Sequence, residues 1–227
     1  IVSRIDRMTS KDGGKVSALT INWELRAAGT TYDIAGAVQM DKVQTSDVAG
    51  VVSSHEGFGS GAFASRGLDA DSPCAVIPFF NRTEELLSAS NTWKGQPAAA
   101  IRKHTTTVTF SQPVDIASVL DSEMNFFIAP KQRTSEIHMP GYAPTASGII
   151  GKGSFLPSDP YKFFVTEGDQ TKNNYMMWAL MIPGEFRYPA EANDIRGVYE
   201  YFMAWASSNG AEHAEWYLES ADAGRIY

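Results

Sequence analysis

The chain has 227 residues, 43% of them hydrophobic and 20% charged, with a formal charge of −7 and a single cysteine. That balance is globular and supports a sizeable core without covalent staples, so it argues against disorder. The negative charge disfavours nucleic acid and anionic membrane surfaces, which call for clustered Lys and Arg, and one thiol excludes a disulfide framework or a multi-cysteine metal site.

No apolar run approaches the roughly 20 residues that span a bilayer. The chain opens on Ile1 rather than Met, so upstream residues, and any export signal among them, are expected to be missing. Residues 1–227 read as one domain, a size that large β-sandwiches reach undivided.

The clearest element comes first. Leu19, Ile21, Trp23, Leu25 and Ala27 alternate with Thr20, Asn22, Glu24 and Arg26, a period of two that puts one set on the core face of a strand and the other in water. Asp12, Gly13 and Gly14 are turn residues, so residues 1–7 and 16–27 are expected to pair as a hairpin. Residues 34–43 alternate more loosely and suit a second strand. Residues 58–72, rich in Gly, Ala, Ser and Asp, read as a loop. Residues 104–114 are β-branched and alternating, with Pro113 expected to end the strand or mark an edge. Residues 124–129 and 136–139 are two further strands. Residues 141–174 form a second long irregular stretch, and such loops usually carry function. Residues 177–182 are continuously apolar, as a strand buried on both faces would be.

Towards the C-terminus the period changes. Ile195, Val198, Tyr199, Phe202, Trp205 and Ala206 recur at helical spacing, with Asn193 or Asp194 as N-cap and Gly210 as stop. A shorter helix is expected over residues 212–218. The whole predicts an antiparallel β-sandwich, jelly-roll-like, with C-terminal helices.

Chemical motifs are scarce. The chain has no Gly-x-Ser-x-Gly elbow, no His-Glu-x-x-His and no Walker-type phosphate loop. Gly57, Gly59 and Gly61 imitate a dinucleotide fingerprint but lead into no helical pattern. Asp69 and Asp71 begin like a calcium loop that Pro73 interrupts. Cys74 beside Pro73 reads as a small buried hydrophobe, with no cation nearby to activate its thiol. Glu136 and His138, two apart on a strand, share a face. They suit a carboxylate-oriented imidazole, either an acid/base pair or half of a metal site with His55, His104 or His213, but a surface hydrogen-bonded pair is the favoured reading. Glu84, Glu85, Glu191 and Asp194 are candidates in type only for a glycosidase pair, because that mechanism depends on separation in space.

Aromatics carry more weight. Phe155, Tyr161, Phe163, Phe164 and Tyr175 crowd the second irregular stretch among Asp159, Glu167, Asp169, Asn173 and Asn174. Flat rings beside carboxylates and amides suit a sugar, whose apolar face stacks while its hydroxyls find acceptors. The competing, favoured reading is that these rings pin the loop to the sandwich.

A family resemblance spans most of the chain. Residues 136–145, Glu-Ile-His-Met-Pro-Gly-Tyr-Ala-Pro-Thr, resemble a signature of the LruC-type domain. The likeness continues through Lys172-Asn173-Asn174, residues 178–191, Asp194-Ile195, residues 205–210 and Trp216-Tyr217. Upstream it takes in residues 25–29 and 77–80. The resemblance implies a secreted or surface lipoprotein of a Gram-negative bacterium, with no established enzymatic activity and no established functional residues, so none is carried over as catalytic. It also implies an acidic stretch before the first strand, a calcium ligand set of the full-length protein that falls upstream of Ile1. Within Pro140-Gly141-Tyr142, a rigid turn with Tyr142 plugging the core is favoured over one wall of a recognition site with Glu136 and His138.

The expectation is a non-enzymatic envelope or surface module that binds or adheres to a glycan or protein, with no cofactor of its own. The candidate ligand-binding residues are Asp159, Tyr161, Phe163, Phe164, Asn173, Tyr175, Glu136, His138 and Tyr142. A metal-assisted hydrolase of polysaccharide or peptide and a structural subunit of a surface assembly are the alternatives.

Overall fold

The computed structural model describes residues 2–28, 34–54, 63, 68, 69, 72–87, 100, 102–130, 136–139, 142, 145, 164, 165, 173–176, 179–208 and 210–227. The alternation at Leu19–Ala27 becomes β2 (Lys15–Ala27), whose apolar positions are buried along the whole run. Gly13 and Gly14, both at positive φ, turn the chain back from β1 (Val2–Asp12), which pairs antiparallel with β2 along its length. The expected hairpin is present, with a longer first strand.

The next strands are β3 (Ile34–Gln44), β4 (Val48–Ser53), β5 (Cys74–Phe80), β6 (Lys103–Asp115), β7 (Met124–Pro130) and β8 (Ile137–His138). They form two four-stranded antiparallel sheets, one in the order β1-β2-β6-β4 and the other β5-β3-β7-β8. We call these sheet A and sheet B. One core fills the space between them. Leu19, Ile21, Trp23 and Leu25 of β2 and Val108 and Phe110 of β6 meet Val38, Met40, Ile77, Phe79 and Phe126 of sheet B. Trp23 lies at the centre, 5.1 Å from Phe79 and 5.5 Å from Phe80 between ring centroids. A β-sandwich is the result, as the strand pattern predicts.

Sheet B is buried on its outer side as well. Ala35, Ala37, Val76, Phe127 and Ala129 point away from the main core and are covered by Phe63, whose backbone amide donates to Asn81 Oδ1 at 3.0 Å. Two buried faces explain why residues 34–43 alternate so weakly: six consecutive residues of β3 are buried.

Several expectations change. Pro113 does not end β6. It sits in an irregularity between the Val16–Val114 and Ala18–Thr109 pairings, beyond the last residue paired with β4, where no ladder donor is needed. Residues 179–182 are not a strand, and Met181 is 45% exposed. Leu180 and Ile182 instead pack against a separate C-terminal cluster, a case where an apolar run does not announce its conformation. The second irregular stretch contains two short strands, β9 (Phe164–Val165) and β10 (Asn173–Met176), paired with each other.

The predicted C-terminal helix is two pieces, α1 (Ile195–Val198) and α2 (Phe202–Ser207). Tyr199 between them is extended and bridges to Ala221, which buries its ring at the cost of helical continuity. Asp194 caps α1, accepting from the Arg196 amide at 2.9 Å, and its hydrogen bond to the Arg196 guanidinium holds the carboxyl below the ordinary carboxylate range. Gly210, at φ 84°, stops the second piece. The helix expected over residues 212–218 shrinks to a 3-10 turn at Trp216–Leu218. These pieces build their own small core, in which Trp216 lies edge-on to Tyr199 and Phe202.

Gly36 marks the tightest point of sheet B, because a Cβ there would lie 2.3 Å from Phe80 Cε1. Phe80 is wholly buried and has nowhere to retreat. Gly36→Ala is predicted to destabilise by about 1–3 kcal/mol, and Gly36→Ala combined with Phe80→Leu should recover part of that loss. Urea unfolding of the two variants checks both statements.

Candidate functional site

The buried polar residues of sheet B converge at one place. Asn125 and Phe127 alternate to the outer face of β7, and β8 pairs beside them with His138 opposite Phe127. The His138 ring stacks on Phe127 at 4.5 Å between centroids and 22° between planes. Glu136, two residues earlier, reaches the same face.

Glu136 Oε2 lies 2.9 Å from His138 Nε2 and accepts the Thr145 backbone amide at 2.8 Å, while Oε1 accepts the Thr145 hydroxyl at 2.7 Å. On the other side of the ring, His138 Nδ1 lies 2.7 Å from Asn125 Oδ1. Both ring nitrogens therefore have a hydrogen-bond partner, Glu136 on one side and Asn125 on the other. Glu136, His138 and Asn125 are 0% exposed and Thr145 is 3% exposed. A buried carboxylate needs donors around it, because desolvating an unpaired charge costs several kcal/mol. Here the donors come from the turn that follows β8, so the network fastens that turn over sheet B.

The expected Glu136–His138 pair is thus formed, but it lies inside the fold and not on the surface. Neither ring nitrogen offers a free lone pair to a metal. His104 points into the space between the sheets, bonded to Thr106 Oγ1 at 2.9 Å, and His213 belongs to the C-terminal cluster, stacked on Tyr201, so neither joins His138. Among the described residues no group of three or more His, Cys, Asp or Glu could hold a metal ion. His55 lies outside the described residues.

Tyr142 is half-buried. Its hydroxyl donates to the Ser122 carbonyl at 3.0 Å and its amide to Met139 at 3.2 Å. It pins the turn to the end of β7 and does not plug the core; Pro140 and Gly141 lie outside the described residues. Asn125 and Thr145 are the members that sequence reasoning missed as partners of the pair. A lone amide in the otherwise apolar run of β7 was the signal for Asn125.

Asp159, Tyr161 and Phe163 lie outside the described residues, as do Phe155, Glu167, Asp169 and the glycines at 57, 59 and 61. Phe164 falls in β9, and Asn173 and Tyr175 in β10, so paired backbone brings these three into one hairpin. The carboxylates of a glycosidase reading are dispersed in local roles. Glu85 accepts the Asn81 amide at 3.2 Å, Glu84 faces Arg82 at 3.8 Å, Asp194 caps α1 and Glu191 is exposed. Cys74 is half-buried, with burial first and then Asp41 raising the pKa of its thiol.

The model of a family described as a domain of unknown function, DUF4842, matches residues 14–217, and the chain belongs to that family. In three dimensions the chain is similar to the crystal structure of a "putative lipoprotein" from Bacteroides ovatus, with TM-score 0.64 and 16% identity over 96% of this chain. The match spans 66% of that structure, just under two thirds of its length. No curated protein matches the sequence.

Removing His138 leaves the Glu136 carboxylate buried without one of its donors. His138→Ala is predicted to cost about 3–5 kcal/mol, with the midpoint in urea lowered and the slope unchanged. The raised pKa of Cys74 leaves little thiolate near neutral pH, so the folded protein should react with a thiol reagent more slowly than the urea-unfolded chain. Equal rates would contradict that placement.

Proposed function

We propose that this member of the DUF4842 family is a non-enzymatic module of the cell envelope, exposed to the outside and built to bind or adhere. The observation that carries the reading is the fate of Glu136 and His138. The residues best equipped for acid/base or metal chemistry are buried and spend their hydrogen bonds on one another, on Asn125 and on Thr145. They stiffen a scaffold. A metal-assisted hydrolase built on this pair would need an open imidazole nitrogen and access for substrate.

The location is part of the same proposal. The similar Bacteroides ovatus structure is named for a lipoprotein, and the LruC-type signature at residues 136–145 also suggests a lipid-anchored or secreted protein of a Gram-negative bacterium. Calcium bound by an acidic stretch upstream belongs to the proposal for the full-length protein. Within binding, glycan recognition is supported by residue chemistry: Tyr161, Phe163, Phe164 and Tyr175 supply rings, and Asp159 and Asn173 supply acceptors. A structural subunit of a surface assembly is the competing role, and it predicts self-association in place of sugar binding.

On a glycan array, Tyr161→Ala and Phe164→Ala should each lose most of the signal given by the unaltered protein. Unchanged signal in both would remove the aromatic loop as the glycan site. Proteinase K treatment of intact cells making the full-length protein should degrade it; survival until the cells are lysed would contradict surface exposure.

A further inference from the structure

An open sandwich has edge strands, and each presents backbone donors and acceptors that another strand could complete. Here the edges are β1 and β4 of sheet A and β5 and β8 of sheet B. Three of them carry features that discourage such pairing. β1 has Arg4, Asp6, Arg7, Lys11 and Asp12 in its sequence. β5 contains Pro78, which has no N–H to offer, and its Val76 carbonyl already accepts the Asp69 amide at 2.9 Å. β8 is two residues long, and the turn fastened by Glu136 follows it.

β4 is different. Val48–Ser53 reads Val-Ala-Gly-Val-Val-Ser, with no charge and no proline. Its one irregularity, between Val48 and Gly50, leaves Gly50 to Ser53 in regular register with β6. The strand is held firmly from within: Val51 packs on the main core, and the Ser53 hydroxyl shares a 3.0 Å hydrogen bond with the Thr106 hydroxyl. The Ser54 amide donates to the Thr105 carbonyl at 2.8 Å. Backbone direction alternates along an antiparallel strand, so Ser54, Val52 and Gly50 turn their polar groups towards β6, and Val51 and Ser53 turn theirs away. Among the described residues no strand or loop bonds to those outward groups. Val51 faces the core, so Val52 faces out beside Thr107. It is 72% exposed, more than any other large hydrophobic among the described residues.

We infer that two copies of this chain pair antiparallel through β4, joining their four-stranded sheets into one across a two-fold axis at Val52. Val52 then lies against Val52 of the second copy, Val51 against Ser53, and Gly50 against Ser54. In this register the outward residues Val51 and Ser53 exchange both N–H···O bonds on either side of the axis, and the irregularity at Val48 stays outside the contact. The non-hydrogen-bonded pair on the axis brings its Cα atoms to about 4.5 Å, so the two exposed valines cover each other. Nothing obstructs the approach at Gly50, where a Cβ would meet no atom within 4 Å.

Charge points to a second copy as the occupant. Each copy carries −7 and repels another in general, but at β4 no like charges are brought opposite one another. A different partner is commonly selected by complementary charge, and this edge supplies none. A two-fold contact closes at two copies, and the protected state of the other edges stops growth there. The pairing is therefore distinct from an open-ended surface assembly, and it stands whether or not the module binds a glycan. A contact one strand wide falls below the roughly 1,200 Å² of a stable interface, so the dimer is reversible.

Sedimentation equilibrium of the 227-residue chain at rising concentration should show the mass climbing from one chain to two and levelling there. Val52→Lys sets two ammonium groups on the axis without touching the core, and should weaken pairing by roughly tenfold or more. Leu218→Lys, at another strongly exposed apolar side chain, should leave it unchanged. Under mild oxidation Val52→Cys should cross-link two copies faster than Leu218→Cys does, because the Cα separation on the axis suits a disulfide. A chain that stays monomeric at every concentration would overturn the inference, and an extended peptide of another protein as the true occupant of β4 would show itself in that way. So would a mass that climbs past two without levelling, equal effects of the two lysine substitutions, or equal rates of cross-linking.

Discussion

A carboxylate with no exposed surface is the constraint around which this fold closes. Glu136 survives burial because His138 and Thr145 give it three hydrogen bonds, and His138 is held in turn by Asn125 and by the Phe127 ring. Every one of those partners must be in place for the charge to be met. The network therefore sets the path of the chain after β8, since Thr145 must return to the outer face of sheet B. That path helps make sheet B a buried middle layer instead of the outside of the molecule. Apolar residues could bury as much surface there, but they would not specify which turn residue lies over which strand.

The consequence for function is an asymmetry. One sheet is covered twice, by the main core and by an outer layer around Phe63 and Phe127, and its polar groups are committed. The other carries threonine and asparagine hydrogen bonds and the Glu24–Arg26 ion pair on its outer side. The C-terminal segment forms a third cluster around Trp216, so its exposed rings are set by a packed base and not by a loose tail.

The sandwich was legible wherever one face met water. Residues 19–27 announced their strand because the half-buried sheet A imposes a period of two, and the Gly13–Gly14 turn was readable from its residues. Legibility fell where burial was two-sided: β3 alternates weakly because both faces are covered, and residues 179–182 look like a buried strand but serve as apolar packing for the C-terminal cluster. The helical period at residues 195–206 was real, yet Tyr199 left the helix to fill a core position, which no local propensity encodes. The Glu136–His138 pairing could be read from its spacing; its burial could not, since that depends on Thr145 folding back.

The amide proton of Thr145 reports most directly on whether the Glu136 network closes the outer layer of sheet B. Its donor bond to Glu136 Oε2 is buried, in a turn that no strand ladder protects. Hydrogen exchange under native conditions should find it as slow as the central strands β3 and β7, opening only when the whole domain unfolds. Exchange at the rate of a solvated loop would mean that the carboxylate does not hold this turn.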